Sequence, residues 1–344
     1  MNRNDIQALV RPNIAALCPY STARDEFEGS IGIFLDANES PYPTGYNRYP
    51  DPHQKLLKQK ISELKGVPVE RIFAGNGSDE AIDLVFRVFC EPGRDNIVAI
   101  TPSYGMYTVA AAINDIEVRE VPLNADFSLP SGRLLAACDS RTKAMFVCSP
   151  NNPTGNAFSN EELLQLADSF KGILVVDEAY IDFSPIPSLL PQLDAHPNII
   201  ILQTLSKAWG MAGLRLGLAF ADPYVIALMS RVKYPYNINQ EAQKAALKQL
   251  EEPNDGRVAE IVSERLRVME ALASLPCVHE VYPSDANFVL IRVDDANALY
   301  DKLLADGIIV RNRTRMPLCE GCLRITVGLP GENDRMLESI RNFK

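Results

Sequence analysis

The sequence predicts an α/β fold with a mostly parallel central sheet, and two observations lead to this prediction. Between residues 71 and 220, short apolar runs alternate with helix-like segments. Apolar runs of this length indicate buried strands, and a βα alternation places covering helices around a parallel sheet. The residue composition then changes near residues 233–239, and a second, smaller α+β unit is predicted after that point.

The elements of the first unit follow from apolar patterning, turn residues and caps. The first 35 residues contain one weak helical stretch and a strand candidate at 31–35, and residues 36–52 indicate an ordered loop or arm. Helices are predicted over 53–65, 79–90, 104–113 and 159–170, the last opened by a capping box of Ser159 and Glu162. Strands are predicted over 71–75, 96–100, 116–122, 143–148, 172–176, 198–202 and 214–220.

The second unit begins with a long amphipathic helix over 258–275. Its apolar positions are 258, 261, 262, 266, 269, 272 and 273, which form one stripe at helical spacing. Strands are predicted near Val281 and over 287–293, 308–311 and 323–327, with helices over 296–305 and 333–342.

Composition narrows the class of protein. The chain has 344 residues and a net charge of −10, without a Lys/Arg block, which argues against a nucleic-acid or anionic-membrane partner. The N-terminal segment is polar, and no apolar run approaches the ~20 residues of a membrane span. Seven scattered cysteines suit free thiols in a reducing cytoplasm. Cys319 and Cys322 form one C-x-x-C without a second pair, so we expect ordinary small residues and no metal there.

A lysine follows the predicted strand 198–202. The chain continues as Thr204-Leu-Ser206-Lys207, at the strand end where α/β sheets bind ligands. A desolvated ammonium loses its proton, and the resulting amine is a nucleophile able to form a Schiff base. Ser-Lys alone is more typical of a surface loop, so the interpretation depends on the other motifs.

A possible anion site lies at Gly75-Asn-Gly77-Ser78-Asp79-Glu80, which follows a strand and opens a helix. Glycines let backbone N–H groups approach a phosphate, and the helix N-terminus adds positive potential. It is not the dinucleotide fingerprint, because the third glycine is missing. A simple turn with an N-cap would explain the same residues.

Two further motifs end predicted strands. Asn152-Pro-Thr-Gly155 forms a rigid turn whose Asn can point into a cleft. Asp177-Glu-Ala-Tyr180 follows the strand 172–176. A magnesium role for Asp177 would require a phosphate-binding loop with Gly-Lys-Ser/Thr, which the chain lacks. The alternative is a carboxylate that keeps a ring nitrogen protonated, with the Tyr180 hydroxyl on the ring oxygen.

Together these motifs describe a site for pyridoxal 5′-phosphate (PLP). We expect the phosphate on Gly77, Ser78 and Asp79, with further donors from Thr204, Ser206 and Arg215. Asp177 faces the ring nitrogen, and Lys207 binds the aldehyde. No serine-hydrolase Gly-x-Ser-x-Gly is present, and none of the three histidines lies in a motif.

The chain also resembles the fold-type-I PLP aminotransferases, and more narrowly the histidinol-phosphate aminotransferase family. The match spans nearly the whole chain. The motifs that carry it are Cys18-Pro-Tyr20-Ser-Thr-Ala-Arg24, Asn47-Arg-Tyr49-Pro-Asp-Pro52, Pro102-Ser-Tyr104-Gly-Met-Tyr107, Asn152-Pro-Thr-Gly155, Asp177-Glu-Ala-Tyr180, Ser206-Lys-Ala-Trp-Gly-Met-Ala-Gly-Leu-Arg215 and Gly321-Cys-Leu-Arg324-Ile-Thr-Val-Gly328.

The resemblance implies roles for single residues. Lys207 carries PLP and moves a proton, Tyr104 stacks on the ring, and Asn152 and Tyr180 bond its 3-oxygen. Tyr49 reaches the PLP phosphate of a neighbouring subunit, which makes a homodimer with composite sites. Arg324 binds a carboxylate, and Arg311 and Tyr20 line the substrate pocket. The segment Glu39-Ser40-Pro41 departs from the expected Glu-Asn-Pro.

The resemblance also implies an activity and a division into domains. The activity is transfer of an amino group between L-histidinol phosphate and 2-oxoglutarate, in histidine biosynthesis. The large PLP-binding domain is expected over residues 31–240, and the small domain is expected to combine 1–30 with 241–344.

Two arginines favour the substrates that the resemblance implies. Guanidinium groups bind phosphate or carboxylate through paired hydrogen bonds, so Arg311 and Arg324 could serve both substrates in turn. A surface salt bridge would also explain Arg311, and Arg313 and Arg315 lie near enough to compete for the role. Other possibilities are an aromatic or broad-range aminotransferase, a phospho-amino-acid decarboxylase, or a non-catalytic PLP-fold regulator. A regulator would usually carry a basic DNA-binding segment, and none is evident.

Overall fold

A seven-stranded sheet forms the larger framework of the protein. The computed structural model describes Met1, residues 3–20 and residues 32–343. The strands are β1 Ile72–Asn76, β2 Asn96–Thr101, β3 Glu117–Pro122, β4 Thr142–Cys148, β5 Ile173–Asp177, β6 Ile199–Thr204 and β7 Leu216–Phe220. Their order is β1-β7-β6-β5-β4-β2-β3, and only β7 runs antiparallel to its neighbours. The predicted α/β fold with a mostly parallel sheet is confirmed.

Helices connect and cover these strands. In the first 250 residues they are α1 Arg3–Leu9, α2 Pro12–Ala15, α3 Lys55–Lys65, α4 Ser78–Phe89, α5 Met106–Ile113, α6 Ser131–Ala136, α7 Asn160–Ser169, α8 Pro223–Val232 and α9 Gln240–Gln249. The capping box predicted for α7 is present, because Ser159 Oγ accepts the Glu162 N–H and Glu162 accepts the Ser159 N–H.

The sheet separates two apolar layers. Alternate residues of β5 point to opposite faces, so Leu174 joins one cluster while Ile173 and Val175 join the other. All residues of β2, β4 and β6 are buried except Lys143, as expected for strands covered on both faces.

A smaller antiparallel sheet follows. Its strands are β8 Val278–Val281, β9 Phe288–Val293, β10 Arg311–Asn312 and β11 Cys322–Thr326, in the order β10-β11-β9-β8. The accompanying helices are α10 Asp255–Ala273, α11 Ala296–Ala305 and α12 Pro330–Arg341. Cys319 and Cys322 are free thiols and fully buried within the apolar core. No helix in the described part of the chain is long and apolar enough to cross a membrane.

Several local predictions were wrong. Residues 32–35 form no strand, and Ile31 lies outside the described residues. The strand predicted over 308–311 is reduced to the two residues of β10. Helices α6, α8 and α9 were missed, because their short apolar stripes are recognisable only once a partner surface is known.

The buried face of α10 also differs from the prediction. Leu266 is 59% exposed, whereas Arg265, Val268 and Leu272 are buried. The predicted stripe is wrong at Leu266 and Ala273, which are exposed. Its other members are buried or pack partly buried against the core, namely Val258, Ile261, Val262, Met269 and Leu272, and the charged Arg265 occupies part of the buried face. At the other end of the chain, Ile6 and Val10 share an apolar cluster with Phe73 of β1 and with α4. The domain limits stated above stay a prediction.

A close backbone approach brings α4 onto the sheet. Gly217 of β7 lies opposite Gly75 of β1, and a Cβ at Gly217 would lie only 1.9 Å from the Ser78 nitrogen. The obstructing atoms belong to the backbone, so no side chain can move aside.

We therefore expect Gly217→Ala to lower the free energy of unfolding by roughly 3 kcal/mol, because the start of α4 must shift. Gly213→Ala is the matched control, since a Cβ there meets nothing within 4 Å. Urea unfolding measures both. Equal stability of the two variants would contradict the close approach.

Candidate active site

Polar side chains from four strand ends surround one cavity. It lies at the carboxyl ends of β4, β5 and β6, beside the turn from β1 into α4, and contains about 490 Å³ of empty space. Its lining consists of Gly77, Ser78, Asp79, Tyr104, Cys148, Asn152, Asp177, Ala179, Tyr180, Thr204, Ser206, Lys207 and Arg215. The structure thus brings together eleven of the residues predicted for the site.

The start of α4 and Arg215 form a cradle for an anion. Gly77 has φ of 76°, its N–H donates to the Arg215 carbonyl at 2.7 Å, and a Cβ would collide with the Arg215 guanidinium. Arg215 itself has a left-handed φ of 54°. The Asp79 carboxylate accepts from Tyr104 at 3.0 Å and lies 3.4 Å from Arg215 Nη2. Backbone N–H groups of the helix start and the Arg215 guanidinium are therefore the donors an anion would meet.

Asp177 is a buried carboxylate at the end of β5. Its Oδ2 accepts from the Tyr107 hydroxyl at 2.7 Å, and its Oδ1 accepts from the Ala179 N–H at 3.1 Å. Burial raises the pKa of Asp177 to about 6, although both hydrogen bonds oppose this shift. Among the described residues, no cation forms an ion pair with it. Such a carboxylate favours a positively charged group in the cavity.

Lys207 lines the same cavity. Its Nζ lies 5.6 Å from the centroid of the Tyr180 ring, and its side chain remains accessible to solvent. Burial of the ammonium lowers the pKa of Lys207, and the charge of Arg324 lowers it further. A larger share of neutral amine makes the side chain a better nucleophile and base.

Arg324 joins the small sheet to the cavity wall. One of its Nη atoms donates to Asn152 Oδ1, and its guanidinium lies over the Phe288 ring at 5.1 Å. Its Nε is buried and finds no hydrogen-bond partner within the described ranges. Burial lowers the pKa of Arg324 to about 10. Tyr180 contacts Phe288 edge to face at 5.1 Å, so Asn152, Tyr180 and Arg324 form one group.

Arg311 and Arg313 extend this positive region. Arg311 of β10 lies directly across from Arg324 of β11, which places both side chains on one face. Burial and the charge of Arg311 lower the pKa of Arg313. In the part of the chain that the structure describes, no carboxylate forms an ion pair with these three arginines. The region therefore attracts anions.

Four predicted site residues do not line this cavity: Arg311 and Arg324 of the small sheet, and Tyr49 and Tyr20. Tyr49 is half exposed and stacks on Tyr236 with ring centroids 4.4 Å apart. Glu39 holds this arm, because it accepts the Tyr49 N–H and pairs with Arg48, both at 2.7 Å. Tyr20 is 75% exposed. Residues 21–24 of its motif, including Arg24, fall outside the described residues.

Sequence reasoning missed Tyr107, Cys148 and Ala179. Tyr107 is fully buried, and its hydroxyl contacts the carboxylate of Asp177, 70 residues further along the chain. Its position three residues after Tyr104 was visible, but only the packing of α5 against the sheet shows what it contacts.

The pKa of Asp177 leads to a prediction about stability. A carboxyl whose pKa is raised from 3.8 to about 6 on folding stabilises the fold below pH 4, and this contribution is lost as pH rises through 6. In protein prepared without PLP, Asp177→Asn should therefore raise the free energy of unfolding at pH 7 by roughly 2–3 kcal/mol.

The gain should shrink towards pH 4, where both proteins are uncharged at this position. Urea unfolding between pH 4 and pH 7 measures this gain in stability. Asp301→Asn, at an exposed position, is the control. A variant less stable than the parent at pH 7 would contradict the assigned shift.

Comparison with known proteins places this cavity in a family. A model for aminotransferase class I and II matches residues 37–340. A histidinol-phosphate aminotransferase of Parabacteroides distasonis is 53% identical over 342 residues, 99% of each chain. The solved histidinol-phosphate aminotransferase of Sinorhizobium meliloti, in complex with pyridoxal-5′-phosphate, is 25% identical with a TM-score of 0.79, covering 89% of each chain.

A decarboxylase also shares the fold. The L-threonine-O-3-phosphate decarboxylase of Porphyromonas gingivalis is 25% identical with a TM-score of 0.74, covering 87% of this chain and 91% of that one. Because the family model spans most of the sequence and a full-length relative is 53% identical, this chain belongs to the aminotransferase class I and II family.

Proposed function

We propose that the protein is a PLP-dependent transaminase that moves an amino group between L-histidinol phosphate and 2-oxoglutarate, giving imidazole acetol phosphate and L-glutamate. One observation carries this proposal: Lys207, Asp177 and the anion cradle of α4 line the same cavity. The full-length similarity to a protein named histidinol-phosphate aminotransferase supports the choice of substrate.

The residues present fit PLP. The cradle would hold the phosphate, since the lack of a Cβ at Gly77 lets the Arg215 guanidinium lie against the start of α4. Asp177 is a buried carboxylate without a cation partner in the described chain, as the binding of a protonated pyridine nitrogen requires. Tyr104 would lie against the ring, and Asn152 and Tyr180 would reach its oxygen.

The side chains around the cavity have different roles in the proposed reaction. Bound PLP supplies an aldehyde that accepts amino groups and a ring that delocalises the electron pair left by a broken C–H bond. Lys207 Nζ, with its lowered pKa, would take the proton from the substrate carbon and deliver it to the carbon that was the aldehyde carbon of the cofactor. Asp177 holds the proton on the ring nitrogen, and Tyr107 fixes the direction of that carboxylate. The two substrates react in turn, so ping-pong kinetics follow.

Arg311 and Arg324 would bind the anionic ends of both substrates. Arg324 would bind the carboxylate of glutamate or 2-oxoglutarate beside Asn152. Arg311 and Tyr20 would contact the phosphate of L-histidinol phosphate. Clustered guanidinium groups without acidic partners in the described chain retain their charge for substrate, and paired hydrogen bonds orient phosphate and carboxylate alike.

A phospho-amino-acid decarboxylase is the second candidate. The Porphyromonas gingivalis structure favours it, because that protein of similar fold is named for a phosphorylated amino acid. The two activities differ in their products: only a transaminase forms glutamate from 2-oxoglutarate, and only a decarboxylase releases carbon dioxide.

A homodimer with shared sites is part of the proposal. The arm that carries Tyr49 and the residues just before it expose large apolar side chains, including Ile33 at 90% and Leu35 at 88%. Surfaces of this kind are typical of subunit interfaces. The Tyr49 hydroxyl would donate a hydrogen bond to the PLP phosphate of the neighbouring subunit.

The free cysteines favour location of the protein in a reducing compartment, the cytoplasm.

Replacement of Lys207 tests the proposed chemistry. We expect Lys207→Ala to abolish turnover and the borohydride-reducible chromophore, because no other amine of the described chain lines the cavity. Lys171→Ala changes an exposed lysine and should leave both intact. Parent protein should form glutamate with L-histidinol phosphate and 2-oxoglutarate, and not release carbon dioxide from threonine phosphate. Normal turnover of Lys207→Ala would refute the assignment, and carbon dioxide release would favour the decarboxylase.

Mixing two inactive variants tests the shared site. Lys207→Ala and Tyr49→Ala should each be severely impaired alone. If Tyr49 acts across the interface, one site of each mixed dimer is intact, and random reassembly should restore roughly a quarter of the parental sites. If the mixture has only the mean activity of the two unmixed variants, Tyr49 acts within its own subunit or not at all.

A further inference from the structure

Arg265 is a buried cation on α10, one position before Leu266, where the predicted apolar stripe runs. It is 5% exposed, and burial lowers its pKa. One Nη atom donates to the carbonyl oxygens of Ala286 at 2.9 Å and Phe183 at 3.3 Å, while Nε finds no partner among the described residues. Because burial of a guanidinium is costly, an apolar side chain would satisfy simple packing better.

Both carbonyl groups belong to residues that pack against Tyr180, which lines the cavity. Phe183 ends the short turn that begins after Tyr180, and Ala286 lies two residues before Phe288. Tyr180, Phe183, Ala208, Ala286 and Phe288 form one apolar cluster. Ala208 follows Lys207 directly, and Phe288 lies beneath the Arg324 guanidinium. Arg265 therefore bonds to the cluster on which Tyr180, Lys207 and Arg324 rest.

The segment 284–286 also holds the turn that carries Asn152. The Asp285 N–H donates to the Gly155 carbonyl at 2.8 Å, and Asp285 Oδ2 accepts the Ala157 N–H at 2.9 Å. The approach is close, since a Cβ at Gly155 would lie 2.8 Å from Ser284 Oγ. A displacement of Ala286 would thus reach the Asn152 turn as well as Phe288.

We infer that Arg265 is a positioning residue for the reaction: it fixes Tyr180, Asn152 and Phe288 relative to one another by holding the carbonyls of Phe183 and Ala286. This inference rests on the proposed binding of PLP in the cavity, but not on the identity of the substrate. Small displacements of groups around a reacting centre cost far more in rate than in binding.

The test compares Arg265→Met, which keeps much of the volume, with Arg265→Lys, which keeps a cation. Arg267→Met is the matched control on the same helix, because Arg267 is exposed and pairs only with Glu264, Asp334 and a carbonyl at the surface, among the described residues. Each holoenzyme is assayed for kcat, KM, the visible circular dichroism of bound PLP and thermal unfolding.

Arg265→Met should lower kcat about tenfold to a hundredfold with a smaller change in KM, and should alter the visible circular dichroism. Arg265→Lys should recover part of both signals, and Arg267→Met should match the parent. If Arg265→Met does not fold, the same two readouts on Arg265→Lys decide, with an intermediate loss expected.

A purely structural role would lower the unfolding temperature of the Arg265 variants while leaving kcat and the dichroism of the folded holoenzyme unchanged, and that result would overturn the inference. Failure of the proposed function has a different signature. In that case the parent protein itself would show no visible PLP signal, or Lys207→Ala would retain it.

Discussion

A carboxylate buried at the end of β5 is the constraint on which the rest of the site depends. Asp177 is 2% exposed, and two hydrogen bonds, from Tyr107 and Ala179, compensate only part of its desolvation. The remaining cost raises the pKa of its carboxyl to about 6. Under the proposed function, a cationic ring nitrogen in the cavity would offset this cost, so cofactor binding would relieve an unfavourable charge. Lys207 and Arg215 line the same cavity.

The surrounding fold supports this arrangement through contacts between distant backbones. Gly217 lets the start of α4 lie directly against β7, which places the anion cradle beside the ends of β5 and β6. On the opposite side, the small sheet contributes Arg324 and the segment 284–286. All residues that line the cavity lie between Gly77 and Arg215, and the small sheet contacts this lining through the hydrogen bond from Arg324 to Asn152. Arg265 joins the segments of Phe183 and Ala286, behind the lining residue Tyr180, with a single charged group.

The motifs predicted most of the cavity because each one ends a strand of a parallel sheet. Parallel strands share a carboxyl edge, so Asn152, Asp177 and Lys207 had to lie near one another once the βα alternation was recognised. The arm and the small sheet were harder to predict. Tyr49 and Tyr20 lie outside the cavity of this chain, and nothing local to their motifs shows what they approach. Arg313 was noted as a competitor of Arg311, and the structure places both beside Arg324.

The fold class, the strand ends and the residue types for PLP chemistry were all readable in the chain before any coordinates, since apolar periodicity and turn residues are signals that a short window contains. The distant groups that adjust those residues became visible only in the folded molecule. Hydrogen bonds from Tyr107 to Asp177, from Arg265 to Phe183 and from Arg324 to Asn152 join residues 70, 82 and 172 positions apart. Such contacts follow from how whole layers pack, and no pattern within one segment specifies them.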